Sequence, residues 1–143
     1  MLKDASRAQP ERRHLRRRKV LLGGVICDVH GETAIECTIR GISVGGAQVQ
    51  PSDSLQVDKE IYLVDTRKDV AYLAKVAWIK NDRAGLSFTR SHALSSELPA
   101  PLQFLKGILL DAKRRQVRAL VEHGLSLEEA TRTAGLKDKD VEG

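Results

Sequence analysis

Two cysteines, Cys27 and Cys37, in 143 residues are too few for a disulfide framework. They flank His30-Gly31-Glu32, which reads as a turn, so both thiols fall on neighbouring strands and are expected as small buried residues. Long hydrophobic runs are missing as well: no stretch approaches the roughly 18 apolar residues of a membrane span. The N-terminus carries charge with no apolar segment behind it. No secretory signal is therefore expected, and the chain is assigned to the cytoplasm, with no membrane partner.

Catalytic signatures are equally scarce. The four histidines, His14, His30, His92 and His123, lie far apart, and none stands at metal-ligand spacing with a cysteine or another histidine. His30-Gly31-Glu32 lies between the two cysteines, but the P-C-x-x-C half of a zinc-deaminase signature is absent. There is no G-x-S-x-G elbow, no Walker loop and no G-x-G-x-x-G after a strand. The expectation is a protein that binds, with no metal, no cofactor and no enzymatic activity.

What is present is a soluble composition with a lopsided charge. Hydrophobic residues make up 41% and charged residues 30%, and the formal net charge is +5. Residues 1–20 hold eight Lys or Arg against Asp4 and Glu11, a surplus of six, so the rest of the chain is net −1. One cationic segment beside a near-neutral body points to a defined anionic partner or to a tail.

Along the chain, residues 1–17 lack apolar periodicity and are expected to be a flexible basic arm. Residues 18–90 read as six strands joined by short turns. These are Lys19 to His30, Thr33 to Ser43, Val44 to Gln50, Lys59 to Asp65, Val70 to Asp82, and Arg83 to Phe88. The first carries Gly23-Gly24, where a bulge or barrel bend is expected. The second places Ile35, Cys37 and Ile39 on one face and Glu36, Thr38 and Arg40 on the other. Six short strands with no intervening helix favour a mainly β fold, an antiparallel sheet closed into a barrel so that no edge is left exposed.

Residues 91–143 read as a loop followed by a helical extension. Leu102, Leu105, Leu109, Val117, Leu120 and Val121 keep helical spacing over 102–123, and Gly124 is a stop. Ser126 and Glu129 have capping-box spacing, and Gly135 ends a second short helix. Lys113, Arg114, Arg115 and Arg118 lie on or near the polar side of the first helix, which is expected to be a solvated face. The other reading packs the helix on the barrel and pairs it with a second copy through Leu105, Leu109 and Leu120. The two helices resemble the opening of a helix-turn-helix, yet only Lys-Asp-Lys-Asp-Val-Glu-Gly follows, too short and acidic for a recognition helix, so DNA is not an expected partner.

Two motifs carry the functional reading. Arg12 and Arg16, and likewise Arg13 and Arg17, stand four residues apart ahead of the first strand. Guanidinium forks onto phosphate, reads the O6/N7 edge of guanine and stacks on purines. Taken alone, such a run reads equally as a solvated tail or a nonspecific polyanion contact. Further on, Ser43 offers a hydroxyl, and Gly45-Gly46 offer backbone N–H groups and freedom at positive φ.

The R-x-x-x-R before the first strand, followed by Gly41-Ile42-Ser43-Val44-Gly45-Gly46, resembles the PilZ domain family over roughly residues 11–90. Lys75-Val-Ala-Trp-Ile79 and Ala84-Gly-Leu-Ser-Phe88 echo it too. The resemblance implies a PilZ-type barrel and a bacterial receptor for cyclic di-GMP that changes a contact with a downstream protein on binding. Carried over, Arg13 and Arg17, or Arg12 and Arg16 in the alternative register, would grip phosphates and guanine edges. Ser43 would hydrogen-bond the ligand, and Gly46 would let the chain turn tightly against it. The family has Asp or Asn where this chain has Gly41. A good base-edge contact is worth about 1 to 3 kcal/mol, so its loss corresponds to roughly 5- to 150-fold in affinity. Gly41 therefore also supports a second reading, a degenerate PilZ-like adaptor that binds proteins and not nucleotide.

Overall fold

The computed structural model describes residues 23–136. Six strands, β1 Gly23–Asp28, β2 Ala34–Ile42, β3 Gly46–Pro51, β4 Glu60–Asp65, β5 Val70–Lys80 and β6 Arg83–Ala93, are followed by α1 Phe104–Glu122 and α2 Leu127–Ala134. The strands close into an antiparallel barrel in the order β1-β2-β3-β6-β5-β4, so every strand has two neighbours. The expected six-stranded barrel with a helical extension is the fold observed. The stretch before Gly23 lies outside the described residues.

Period-two alternation builds the interior. Ile26, Ile39, Val49, Leu63, Val76 and Leu86 point inward and form the barrel core. β1 and β4 are apolar on their outer face as well, and there Val25, Cys27, Tyr62 and Val64 pack against Leu98, Leu105 and Ala112. That double burial explains why β4 is buried from Ile61 to Asp65 without interruption. Tight turns are made by residues that tolerate positive φ: Gly31 at +75°, Asp69 at +56° and Asn81 at +57°.

Cys27 and Cys37 are both free and buried, as expected of small core residues. They lie on opposite faces of the sheet, Cys27 under α1 and Cys37 inside the barrel, which precludes a disulfide between them. Burial, with help from Asp28 for Cys27 and Asp65 for Cys37, pushes each thiol up to about 12. Both stay protonated at neutral pH and are poor nucleophiles.

The register corrects two expectations. Pairing of β1 with both neighbours runs unbroken through Gly24, so the glycine pair is not a bulge. Gly24 is needed instead for close approach, since a Cβ there would press within 3.1 Å of Ile39 Cδ1 and 3.2 Å of Cys37 Sγ. The irregularities fall in β2, between Ile39 and Gly41, and at two places in the β5–β6 pair. β6 also continues beyond Phe88 to Ala93, where it pairs with the first residues of β5. Its last residues are mostly polar and exposed, so they carry no apolar signal of a strand.

α1 is held against the barrel by apolar packing and by polar clamps. Lys113 is buried, with Nζ 2.6 Å from Asp69 Oδ1 in the β4–β5 turn and donating to the Gly135 carbonyl at 3.5 Å. Arg115 Nε donates to Glu36 Oε2 at 2.8 Å. Gln116 Nε2 donates to Thr66 Oγ1 at 2.8 Å, and Thr66 donates to the Gly23 carbonyl at 2.7 Å. The solvated face expected for this helix is thus interrupted at Lys113 and Arg115, which reach the barrel, while Arg118 is exposed. The leucines offered to a second copy are used within the chain: Leu105 and Leu109 pack on the barrel, and Leu120 packs against Ala130 and Ala134 of α2. Ser126 and Glu129 form the capping box, and Gly135 ends α2 in the left-handed region.

Candidate functional site

Two bulges shape the outer face opposite α1. Simple alternation after Cys37 and Ile39 would turn Gly41 into the barrel, but the register shift at Arg40 makes Gly41 the partner of outward-facing Gln48. On β5, alternation after Ala74 and Val76 would bury Trp78, but the shift between Val76 and Trp78 pairs it with Gly85. Gln48 is itself paired with Gly85. Gly41, Gln48, Gly85 and Trp78 therefore form one continuous row across β2, β3, β6 and β5.

With strands about 4.8 Å apart, the row is roughly 14 Å long, and two of its four residues have no side chain. The Trp78 indole lies down over Gly85, where any Cβ would collide with its Nε1. Even so, Trp78 remains 41% exposed. The result is a shallow depression of about 350 Å³, floored by glycine backbone and bounded by Trp78, Gln48, Ser43 and Gly46. Gln48 Oε1 accepts from Arg83 Nη1 at 3.3 Å, which brings a guanidinium to the same face.

The Ser43 turn forms one end of this depression. Ser43 N–H donates to the Gly46 carbonyl at 2.8 Å, and its hydroxyl lies 3.4 Å from the same oxygen. Val44, at the tip, is 98% exposed. Phe88 N–H donates to the Gly45 carbonyl at 2.9 Å and ties the turn to β6. Neither Gly45 nor Gly46 adopts positive φ, contrary to the expectation for this pair. Gly46 is required for a different reason: a Cβ would run into the Leu86 carbonyl of β6. At Gly41 a Cβ would meet nothing within 4 Å, so the missing motif side chain is a chemical loss and not a steric demand.

Of the residues singled out from sequence, Gly41, Ser43 and Gly46 come together here. Arg12, Arg13, Arg16 and Arg17 lie outside the described residues. Sequence reading missed Gln48, Trp78 and Arg83 as site residues. Trp78 is turned outward by the β5 bulge, and a lone tryptophan in a strand ordinarily signals core. Gln48 and Arg83 face outward by plain alternation with buried Val49 and Ala84, and nothing local marks such polar residues as part of a site.

On the other side of the Ser43 turn a second hollow, about 510 Å³, opens at the barrel mouth over the stacked rings of Tyr72 and Phe88, 4.1 Å apart. Among the described residues no group of His, Cys, Asp and Glu is arranged to hold a metal ion. Nor is any helix among them long and apolar enough to cross a membrane. The face of Ser43, Gln48, Arg83 and Trp78 combines a hydroxyl, an amide, a cation and an aromatic plane. That chemistry suits a flat heteroaromatic anion. A family model, the PilZ domain, matches residues 10–98 and so spans the barrel, the Ser43 turn and all four arginines of the two candidate pairs. No curated protein matches the chain.

Proposed function

We propose, for a chain that belongs to the PilZ domain family, that it is a bacterial cytoplasmic receptor for cyclic di-GMP, a binding protein and not an enzyme, whose liganded form presents an altered surface to a protein partner. The observation that carries this reading is the Ser43–Gly46 turn. It is pinned by Gly46 against β6 and holds the Ser43 hydroxyl exposed beside an open, glycine-floored face.

Chain direction supports the reach of the arginine segment. Gly23 pairs with Thr38 and Cys27 with Ala34, so moving back toward the start of β1 moves along β2 toward Gly41 and Ser43. Thr38 to Ser43 is five residues, about 17 Å of strand. From Gly23 back to Arg17 is six residues, a span of up to about 20 Å. Arg17 is thus within reach of a phosphate bound at Ser43, and Arg13 has length to spare. Guanidinium groups would fork onto the two phosphates while Ser43 hydrogen-bonds the ligand.

Calorimetric titration of the full chain with cyclic di-GMP tests the reading, and saturable heat in the micromolar range is expected. Charged hydrogen bonds are worth about 1.5 to 3 kcal/mol each. Arg13→Ala or Arg17→Ala should therefore weaken binding by roughly 10- to 150-fold, with Arg12→Ala and Arg16→Ala as the controls that fix the register. Absence of heat up to high micromolar ligand overturns the proposal. Gly41 favours the second reading, an adaptor blind to nucleotide. Because the space at Gly41 is open, Gly41→Asn should then create binding where the parent chain has none.

A further inference from the structure

We infer that the free edge of β6 from Thr89 to Ala93, with the hollow beside it, is a docking site where a protein partner adds an extended acidic segment as a further strand. This rests on the protein partner proposed above and names the edge that receives it.

β3 pairs with β6 only from Ala84 to Ser87, and the Phe88 N–H then reaches the Gly45 carbonyl. β5, by contrast, stays paired with β6 as far as Ala93. From Thr89 to Ala93, β6 therefore has a neighbour on one side only among the described residues. The Leu94 N–H donates to the Asp69 carbonyl at 2.8 Å, one rung beyond the pairing of Val70 with Ala93. Hydrogen-bonded and non-bonded pairs alternate along an antiparallel ladder. Arg90 and His92 thus turn their backbone groups to β5, and Ser91 turns its N–H and C=O to the open side. No described backbone group meets them there. The Ala93 carbonyl, which faces the same way, is already taken by Ser96. An unpaired edge of this kind recruits a strand from another chain.

The hollow of about 510 Å³ lies along this edge, with the stacked Tyr72 and Phe88 rings beneath it and the Ser43–Val44 turn in its wall. Ser91 pairs with Tyr72, so the two side chains share a face. A residue hydrogen-bonded to Ser91 on an added strand would place its own side chain over the same rings, which suits an apolar group. Its neighbours in sequence would turn to the other face, beside Arg90. Lys68 and Arg90 line the hollow, and no Asp or Glu does. The edge therefore fits a strand that alternates apolar and acidic residues. The chain's own N-terminal segment has the wrong charge for it, and it joins at β1, which lies three strands from β6 in either direction around the barrel.

The probe is a fluorescein-labelled peptide, Glu-Val-Glu-Phe-Glu-Val-Glu, titrated with the full chain by fluorescence anisotropy in the absence of nucleotide. Saturable binding with a dissociation constant of about 10 to 500 μM is expected. The same peptide with Lys for Glu should bind about tenfold more weakly. Ser91→Pro removes the edge donor and no bond to β5, and should weaken the probe roughly 3- to 10-fold. Arg90→Glu should weaken it too, whereas Arg118→Glu, on the exposed side of α1, should leave it unchanged. On the wild-type chain, N-methylation of the Phe and both Val residues of the probe blocks the N–H groups that face the edge. It should weaken binding at least as much as Ser91→Pro, and it decides the point even if that variant fails to fold.

No saturation up to about 2 mM wild-type chain overturns the inference. So does binding that N-methylation leaves intact, or an equal loss in Arg118→Glu, which would show charge attraction alone. Cyclic di-GMP that competes with the probe while N-methylation has no effect would mark the hollow as a nucleotide site and overturn the inference as well. A chain that binds the probe as expected but gives no heat with cyclic di-GMP keeps the docking edge and loses only the receptor reading.

Discussion

The two outer faces of one barrel are finished in opposite ways. Over β1 and β4 the outward side chains are large and apolar, and α1 covers them with Leu105 and Ala112 while Lys113, Arg115 and Gln116 clamp it at the edges. Across β2, β3, β6 and β5 the outward row is Gly41, Gln48, Gly85 and Trp78, and no described helix lies over it. The interior that both faces share is built by the same alternation. One face has thus been closed by the chain's own helix for stability. The other has been emptied of side chains, which leaves an aromatic plane accessible to a ligand.

The largest expected effect comes from opening the closed face. Leu105 is fully buried between α1 and the barrel. Leu105→Ala should cost about 2 to 5 kcal/mol by removing buried surface and leaving a cavity. Urea denaturation measures this, and the native emission of Trp78 should stay as it is, because that residue stands on the opposite face. A loss under about 1 kcal/mol would mean that α1 is only loosely seated. A shifted native emission would mean that the two faces are not independent.

A smaller effect separates two glycines on the open face. Gly46→Ala drives a Cβ into the Leu86 carbonyl and should cost about 1 to 3 kcal/mol as β3 and β6 are forced apart. Gly41→Ala meets open space and should change stability by no more than about 0.5 kcal/mol. Thermal unfolding of the two variants side by side makes the distinction. Equal losses would show that the open face is under packing constraint throughout and would remove the contrast between the faces.

Much of the closed face was legible in the sequence, and much of the open face was not. Six strands, the turn at Gly31, the Ser126–Glu129 capping box and the stop at Gly135 all follow from local signals, and all are present. Gly41, Ser43 and Gly46 were found because they form one short motif. Trp78 escaped because alternation is a local rule, and a bulge that reverses it is set by the partner strand; Gln48 escaped because an outward polar residue in a strand carries no local mark of a site. Lys113 escaped for a related reason: its ion-pair partner Asp69 is 44 residues away, and nothing in the polar run around it marks one cation for burial. The strand end beyond Phe88 was hidden because Thr89 to His92 gain their order from β5 and not from apolar side chains.

The smallest expected effect lies at the turn between β1 and β2, on the closed side. Gly31 is pressed against the Phe104 ring at the start of α1. Asp28 Oδ1 holds the turn by accepting from the N–H groups of Glu32 at 2.6 Å and Thr33 at 3.1 Å. The Thr33 hydrogen bond foremost, with that of Glu32, keeps the Asp28 carboxyl below its ordinary value. A carboxylate lowered in the folded state adds stability that is fully present above the unfolded value, about 3.9. That stability is lost as pH falls through the folded value, because the unfolded chain takes up the proton first. Asp28→Asn should therefore be slightly less stable than the parent at neutral pH, and the gap should close as pH falls below about 4. The turn lies on the helix-covered side, so neutral-pH titrations followed by Trp78 emission should be the same in variant and parent. If Asp28→Asn altered them, the β1–β2 turn would be coupled through the barrel to the Ser43 face, and the division between a closed structural side and an open binding side would have to be redrawn.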